Sequence, residues 1–479
     1  HIQGSHTLKF GYEGWTGDDV EDFQGPHAQP TFQYNNLLDL VQDHPYTETG
    51  VAYDPITGKP VLWNWNAASR THGLFAQDIW KVKPNLTLTL GIRWDDFGNP
   101  YSRSPLTVFG NFYYGAGQTA DQQIANGFVR QTKRVFNHAQ TGFQPRIAVA
   151  WNPDKQGEWV FRGGFGVYNN WVTPANAQEE FRGNPPGPIY PTFYSNKPGT
   201  PSPLLTLGTN NTKPPFGFTY PVISGYTLDS HGGIAGLSPS IGAIDANLTE
   251  PIVYVYSAGV ERKLGGALLA GASYSGSQGR SLLAGGGQEF NVSYGQDINA
   301  FTGDLIQNNQ LSPTRLNPSF GNIFYTSNDR VSSYNALITS LQGRFGRAFF
   351  NASYTHSSSK DDTQVYPSEV DPHVYFGPSI WDAPNRFSLA WNFTLPGMHQ
   401  GHGFLGRVTG GWSLSGTSLL QTGYPFTVYT NAPFIPVTGA NGAFTGYAAG
   451  SGDYNADGDN TDYPDAAGYS ENMSRQAFL

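Results

Sequence analysis

The densest run of oxygen ligands in the chain is Asp453-Tyr454-Asn455-Ala456-Asp457-Gly458-Asp459. Carboxylate or amide oxygens recur there at alternate positions and a glycine falls at the sharp turn, as in the first half of a calcium-binding loop. The candidate ligands are Asp453, Asn455, Asp457, Asp459 and Asp462, and calcium is the cofactor they suit. At the twelfth position, where a helix–loop–helix site places a bidentate glutamate, stands Pro464, so Asp462 or Asp465 must substitute. A solvated acidic turn fits the same residues, and both readings stay open.

Other groupings carry less chemistry. The neighbouring carboxylates Asp95-Asp96 and Asp361-Asp362 invite a general acid and base reading of the kind used in glycoside hydrolysis. Adjacent residues of a strand point to opposite faces, so neither pair converges on one substrate, and both read as the starts of loops. The 11 histidines form no HExxH motif, no GxSxG elbow is present, and cysteine is absent. Zinc hydrolase, serine hydrolase and thiolate chemistry therefore have no signal. The run Gly163-Gly164-Phe165-Gly166 lies in a strand with no helix after it, so it is no phosphate loop. Its glycines are expected to permit a close approach or a bend of the strand. Sequons such as Asn85, Asn247, Asn351 and Asn392 fall mostly in predicted strands and carry no weight. The expectation is of a protein that is not an enzyme.

The elements that position these residues are strands. Apolar and polar residues alternate along almost the whole chain. Leu86, Leu88, Leu90, Ile92 and Trp94 share one face, opposite Thr87, Thr89, Gly91 and Arg93. Phe387 to Leu395 repeats the pattern, and Phe161, Phe165 and Val167 oppose Arg162, Gly164 and Gly166. The clearest strands run about ten to thirteen residues, enough to cross an apolar band of ~25 Å at a tilt near ~40°. Links alternate in length. Short ones fall near Pro84-Asn85, Pro153 to Gly157, Gly265-Gly266 and Gly346-Arg347, with a slightly longer one at Pro396 to Gly403. Long ones, rich in Pro, Gly, Asn and Asp, run from Gly98 to Gly142, Asn169 to Glu250, Ser277 to Ser332 and Ser359 to Ala383. Trp80, Trp151 and Trp159 sit beside short links, and Tyr168, Tyr274 and Tyr354 lie toward long ones, as in the aromatic girdles of a barrel.

Alternation alone also fits a sandwich in water, and the polar face decides between them. Charged residues make up only 13% of the 479 residues, about half the share of a soluble domain. The polar face carries Ser, Thr, Gly, Asn and Ala with scattered arginines, which suits an interior approached by protein or water. Arg93, Arg146, Arg162 and Arg386 lie on it, placed either to pair with interior carboxylates or to snorkel at an interface. Net charge is -9, with Asp18, Asp19, Glu21 and Asp22 in an expected loop, so nucleic acid is excluded as a partner. In lipid every backbone polar group must pair between strands. The fold class is therefore all-β, an antiparallel transmembrane β-barrel. About twelve strands are legible, too few for the largest plugged barrels of about 22 strands. Residues 1–479 read as one partial barrel, giving either an open, curved sheet or a closed shape produced by truncation. A signal segment and further domains are expected upstream and the last strands downstream.

Strand-and-turn segments recur in a fixed order: FAQDIWKVKPNLTLTLGIRWD from Phe75, FQPRIAVAWNP from Phe143, FRGGFGVYNN from Phe161 and YSGSQGRSLL from Tyr274. YNALITSLQGRF from Tyr334, NASYTHSSSKDD from Asn351, WDAPNRFSLAWNFTLP from Trp381 and GGWSLSGTSLLQTGYPFTV from Gly410 follow. Each is weak alone; their number and order over residues 71 to 430 are specific, and together they resemble the Oar-like branch of the TonB-dependent receptors. The resemblance implies an outer-membrane location and a barrel that, in its relatives, joins a plug and a regulatory-like domain. It further implies uptake or export of an extracellular ligand through a plugged barrel, driven by the TonB-ExbB-ExbD complex acting on the plug. This chain lacks the plug, the TonB-contacting segment and an aromatic-ended final strand. The rival readings are a passive outer-membrane pore or surface adhesin, and a secreted carbohydrate-binding or hydrolytic β-protein.

Overall fold

A computed structural model describes the chain except for residues 24–30, 62, 104–108, 155–156, 182, 196–221, 284–287, 290, 294–313, 364–375, 396–403, 405–407, 409–410, 427–435, 439–443 and 448–479. Twelve strands follow one another as neighbours in one antiparallel sheet: β1 (Ile2–Gln3), β2 (His6–Phe23), β3 (Trp63–Lys83), β4 (Leu86–Gly98), β5 (Gln140–Trp151), β6 (Trp159–Asn169), β7 (Ile252–Leu264), β8 (Leu268–Leu282), β9 (Arg330–Phe345), β10 (Ala348–Asp361), β11 (Asn385–Thr394) and β12 (Ser413–Gln421). Among the described residues β1 and β12 do not pair with each other, so the sheet is open, one of the two expected forms. No helix of the described residues is long and apolar enough to cross a membrane, which leaves strand crossing untouched.

Hairpin chemistry explains the sequential order. Pro84 and Asn85 turn β3 into β4, and Gly265 and Gly346, with φ of 64° and 53°, make the turns after β7 and β9 that L side chains resist. Five of the strands, β4, β5, β6, β7 and β11, have the expected lengths. β2 and β3 are longer, at 18 and 21 residues, and pair without a break from His6↔Trp80 to Phe23↔Trp63. The residues expected to form an acidic loop, Asp18 to Asp22, are thus the upper part of a strand.

The register puts like with like. Leu90, Ile147, Phe165 and Tyr256 form one cross-strand row, and the next row, on the other face, is Thr89, Ala148, Gly164 and Ser257. A one-residue slip would invert both rows. The apolar row is not covered by a second layer: Ile147 is 50% exposed and Phe143 is 66% exposed. An apolar face left open along a sheet whose ladder bonds are satisfied is a face made for hydrocarbon. Trp80, Trp151 and Trp159 stand on it beside the short links, and Tyr274 and Tyr354 toward the long ones. Tyr168 differs from its expected girdle role, because the register places it on the polar face. The glycine run divides: a Cβ on Gly166 would stand 3.0 Å from the Tyr168 ring, the close approach expected there, while Gly163 and Gly164 have more room. A Cβ on either of those two would lie 3.5 Å from its nearest neighbour, an ordinary contact distance.

In their described residues the long links carry short strands. They build a cap of short strands over one edge of the wall, and the molecule's buried core lies there. Phe109–Tyr113 pairs with Phe128–Thr132, and Ile241–Ile244 runs parallel to Ile323–Thr326. One buried cluster joins Phe109, Phe136, Phe181 and Leu248, a second joins Phe112, Ile124, Phe320 and Ile323, and a third joins Val51, Tyr53 and Phe193. Buried asparagines cross-link the loops. Asn111 donates to the Ile244 carbonyl at 2.8 Å and accepts from the Ile244 N–H at 3.0 Å. Asn184 joins the Gly110 carbonyl to both backbone groups of Gly242, and Asn317 reaches the carbonyls of Ile124 and Gly127.

Candidate functional site

The polar face of β2 to β6 gathers a charged network just below the cap. Glu13, Gly73, Asp95 and Gly142 form one cross-strand row, and Arg93 lies opposite Gln144 in the next. Residues two apart on a strand share a face, so Arg93 and Asp95 meet directly. The Arg93 guanidinium donates from Nε to Asp95 Oδ2 at 2.7 Å and from Nη2 to Asp95 Oδ1 at 2.6 Å. It also reaches Glu13 Oε2 at 3.1 Å. Asp95 is 5% exposed, and Gln144 Nε2 donates to it at 2.5 Å. The chain continues outward: Arg146 donates to Gln144 Oε1 at 3.3 Å and lies 4.3 Å from the centre of the Tyr168 ring.

Gly73 makes room for this pair. A Cβ there would stand 2.5 Å from both Arg93 Nη2 and Asp95 Oδ1. Above the network Trp171, from the loop after β6, meets Trp15 edge-on at 5.8 Å and stacks on Phe97 at 6.3 Å. Both Trp15 and Phe97 lie on the polar face by strand parity. Further round the wall, Arg162 pairs with Glu261 at 2.5 Å. Arg386 lines a cavity of about 400 Å³ with Asn351, Ser353, Ser388 and Thr417, and has no ion pair among the described residues. This face thus offers charges and hydroxyls to a polar partner, and among the described residues it brings no nucleophile and base together.

The four arginines expected on the polar face are all there, and three of them have interior partners. Asp95 corrects the loop reading: it is a strand residue locked to Arg93, while Asp96 points the other way and accepts from Gly98 N–H at 2.8 Å. Asp361 ends β10, and Asp362 accepts from the Val331 N–H at 2.7 Å, so this pair also diverges. Glu13, Gln144 and the Trp15–Phe97–Trp171 group were not read from the sequence. The i, i+2 spacing of Arg93 and Asp95 was a usable signal; Glu13 is 80 residues from Arg93 and gave none. The candidate calcium ligands Asp453, Asn455, Asp457, Asp459 and Asp462 lie outside the described residues. Among the described residues no three His, Asp or Glu side chains gather to hold a metal ion.

Comparison with known proteins bears on the fold. The FrpB iron transporter from Neisseria meningitidis (F5-1 variant) superposes with a TM-score of 0.41 and 11% identity, over 82% of this chain and 39% of that one. The ferric yersiniabactin uptake receptor FyuA from Yersinia pestis gives 0.37 and 7%, over 88% and 44%. The alcaligin outer membrane receptor FauA from Bordetella pertussis gives 0.33 and 12%, over 87% and 47%. The chain thus spans less than half the length of these structures. No curated protein matches it. A family model described as an outer membrane beta barrel domain matches residues 1–477. With an apolar face bare of any second layer and that match over nearly its whole length, the chain belongs to the outer membrane beta barrel domain family and resides in the outer membrane.

Proposed function

We propose that this chain forms part of the wall of a TonB-dependent receptor of the Oar-like branch, moving a ligand across the outer membrane. The observation that carries the reading is the network Glu13–Arg93–Asp95–Gln144–Arg146 on the face away from lipid. A water-filled pore needs only scattered charge on that face. A linked set of charges with one member almost fully buried suits a second protein element seated against it, and the order of motifs over residues 71 to 430 supplies the family context. In this reading a plug encoded elsewhere in the protein rests on the network. The cap captures the extracellular ligand, and the TonB-ExbB-ExbD complex pulls on the plug from the inner membrane.

The test uses the full-length protein in its own outer membrane. Ligand accumulation is expected to fall to background when TonB is deleted or the proton gradient is collapsed, and planar-bilayer conductance of the purified protein is expected to stay near zero. Steady conductance with unchanged accumulation would assign a passive pore, and attachment without accumulation an adhesin.

A further inference from the structure

On the lipid-side face of β3 and β4, immediately beyond the last apolar row, lies a cavity of about 550 Å³. Its lining includes Arg70, His72, Asp96, Tyr101, Arg134 and His138. Strand parity fixes which side this is: Arg70, His72 and Asp96 share the face of Leu74, Ala76, Leu90 and Trp94. The cavity therefore opens toward the membrane exterior of the wall and away from the network described above.

Its charge is unusual for an acidic chain of 27 basic and 36 acidic residues. The guanidinium carbons of Arg70 and Arg134 stand 5.9 and 5.7 Å from the centre of the Tyr101 ring. Neither arginine is in an ion pair among the described residues, and Arg134 spends one donor on the Asn99 carbonyl at 3.3 Å. Asp96 is the only carboxylate in the lining, and the Gly98 N–H already occupies one of its oxygens. The Nδ1 of His72 is bound to the Tyr12 hydroxyl at 2.7 Å, which leaves Nε2 for another partner. Two exposed guanidinium groups beside one ring, with most of their N–H donors unspent among the described residues, can converge on an oxyanion.

Depth supplies the source of that oxyanion. Leu74 and Phe143, 51% and 66% exposed, mark the top of the apolar band. His72 and Arg70 lie two and four residues beyond Leu74, or ~5 and ~10 Å along the membrane normal at ~3.3 Å per residue and a tilt near ~40°. The polar headgroup layer is roughly 5–8 Å thick on each side of the hydrocarbon core, so His72 lies within it and the Arg70 backbone just beyond it. We propose that the cavity holds the phosphorylated headgroup of a lipid of the outer leaflet, with its acyl chains lying down the wall over Leu74, Trp94 and Phe143. The inference rests on the membrane placement of the wall and is independent of energy coupling.

The test is native mass spectrometry of the full-length protein in detergent, loaded with lipid A, with phosphatidylcholine and inorganic phosphate as parallel probes. The wild type is expected to retain lipid A and not phosphatidylcholine. The Arg70→Gln/Arg134→Gln variant is expected to lose at least tenfold of that retention, with heat-modifiable gel mobility confirming that it folds. Asp96→Asn, which removes the one carboxylate of the lining, is expected to raise retention several-fold, and this arm decides the matter if the double variant does not fold. Equal retention by the folded double variant, no gain in Asp96→Asn, or equal retention of phosphatidylcholine overturns the proposal. Displacement of lipid A by an equal concentration of inorganic phosphate overturns the lipid assignment and leaves a small-anion site.

Discussion

Phe109 and Phe143 are both strand phenylalanines, yet the first is fully buried and the second is 66% exposed. Phe109 belongs to the cap, where loops fold on one another in water and must hide their own apolar groups. Phe143 belongs to the wall, which is held by ladder hydrogen bonds and leaves its apolar groups to the lipid. Of the buried apolar residues among those described, only Ala67, Ala68, Val167 and Ala336 lie in wall strands. The same chemistry therefore has two supports: in the cap side chains stabilise the backbone, and in the wall the backbone holds the side chains out.

Phe109→Ala should break that division most sharply. A buried phenylalanine cut to alanine costs about 3–5 kcal/mol, and the loss should fall on the cap alone. Protease sites in residues 99–139 and 170–251 should open on intact cells while heat-modifiable mobility of the wall is kept; loss of both together would show that cap and wall fold as one unit. Ile147→Arg reverses the experiment. A cation at mid-wall on the lipid face costs about 2–4 kcal/mol, so membrane-inserted protein should fall on quantitative blots, whereas the same change at a cap surface residue such as Gln131 should leave it unaltered.

The division also marks what the sequence made legible. A period of two and a turn at Pro84-Asn85 are local signals, and together they give the hairpin of β3 and β4 and the shared face of Trp80 and Leu88. Strand parity alone likewise put Arg93, Arg146, Arg162 and Arg386 on the inner face. The cap was illegible because its contacts are remote: Asn111 and Ile244 are 133 residues apart, and Asn317 and Ile124 are 193 apart. Its strands of two to five residues are too short to show a period. The inner network fell between these cases, with the Arg93–Asp95 spacing visible and the contribution of Glu13 hidden by the 39 residues that separate β2 from β3.

Two smaller effects sharpen the comparison. Asp95→Asn removes the charge that holds Arg93 and should cost about 1–3 kcal/mol, a loss moderated because Arg93 remains partly solvated. It should lower the unfolding temperature of the wall without opening the cap to protease. The cap should respond instead to alkali. Burial, and then the nearby Glu48 carboxylate, pushes the Tyr53 phenol up to about 12, and burial followed by Tyr114 and Asp245 raises Tyr325 as well. The folded cap thus keeps these protons more tightly than the unfolded chain. That stabilisation is complete below about pH 10 and is lost as pH climbs toward the raised values. Protease sensitivity of the loops should rise between about pH 10 and 12, and Tyr53→Phe should shift the onset upward.

The asparagine cross-links of the cap have a consequence for life at an exposed cell surface. A carboxamide neither titrates nor carries charge, so counterions cannot weaken it as they weaken an ion pair. Braced by Asn111, Asn184 and Asn317, the outermost part of the molecule can keep one shape whether the bacterium meets fresh water, brine or an acidified medium.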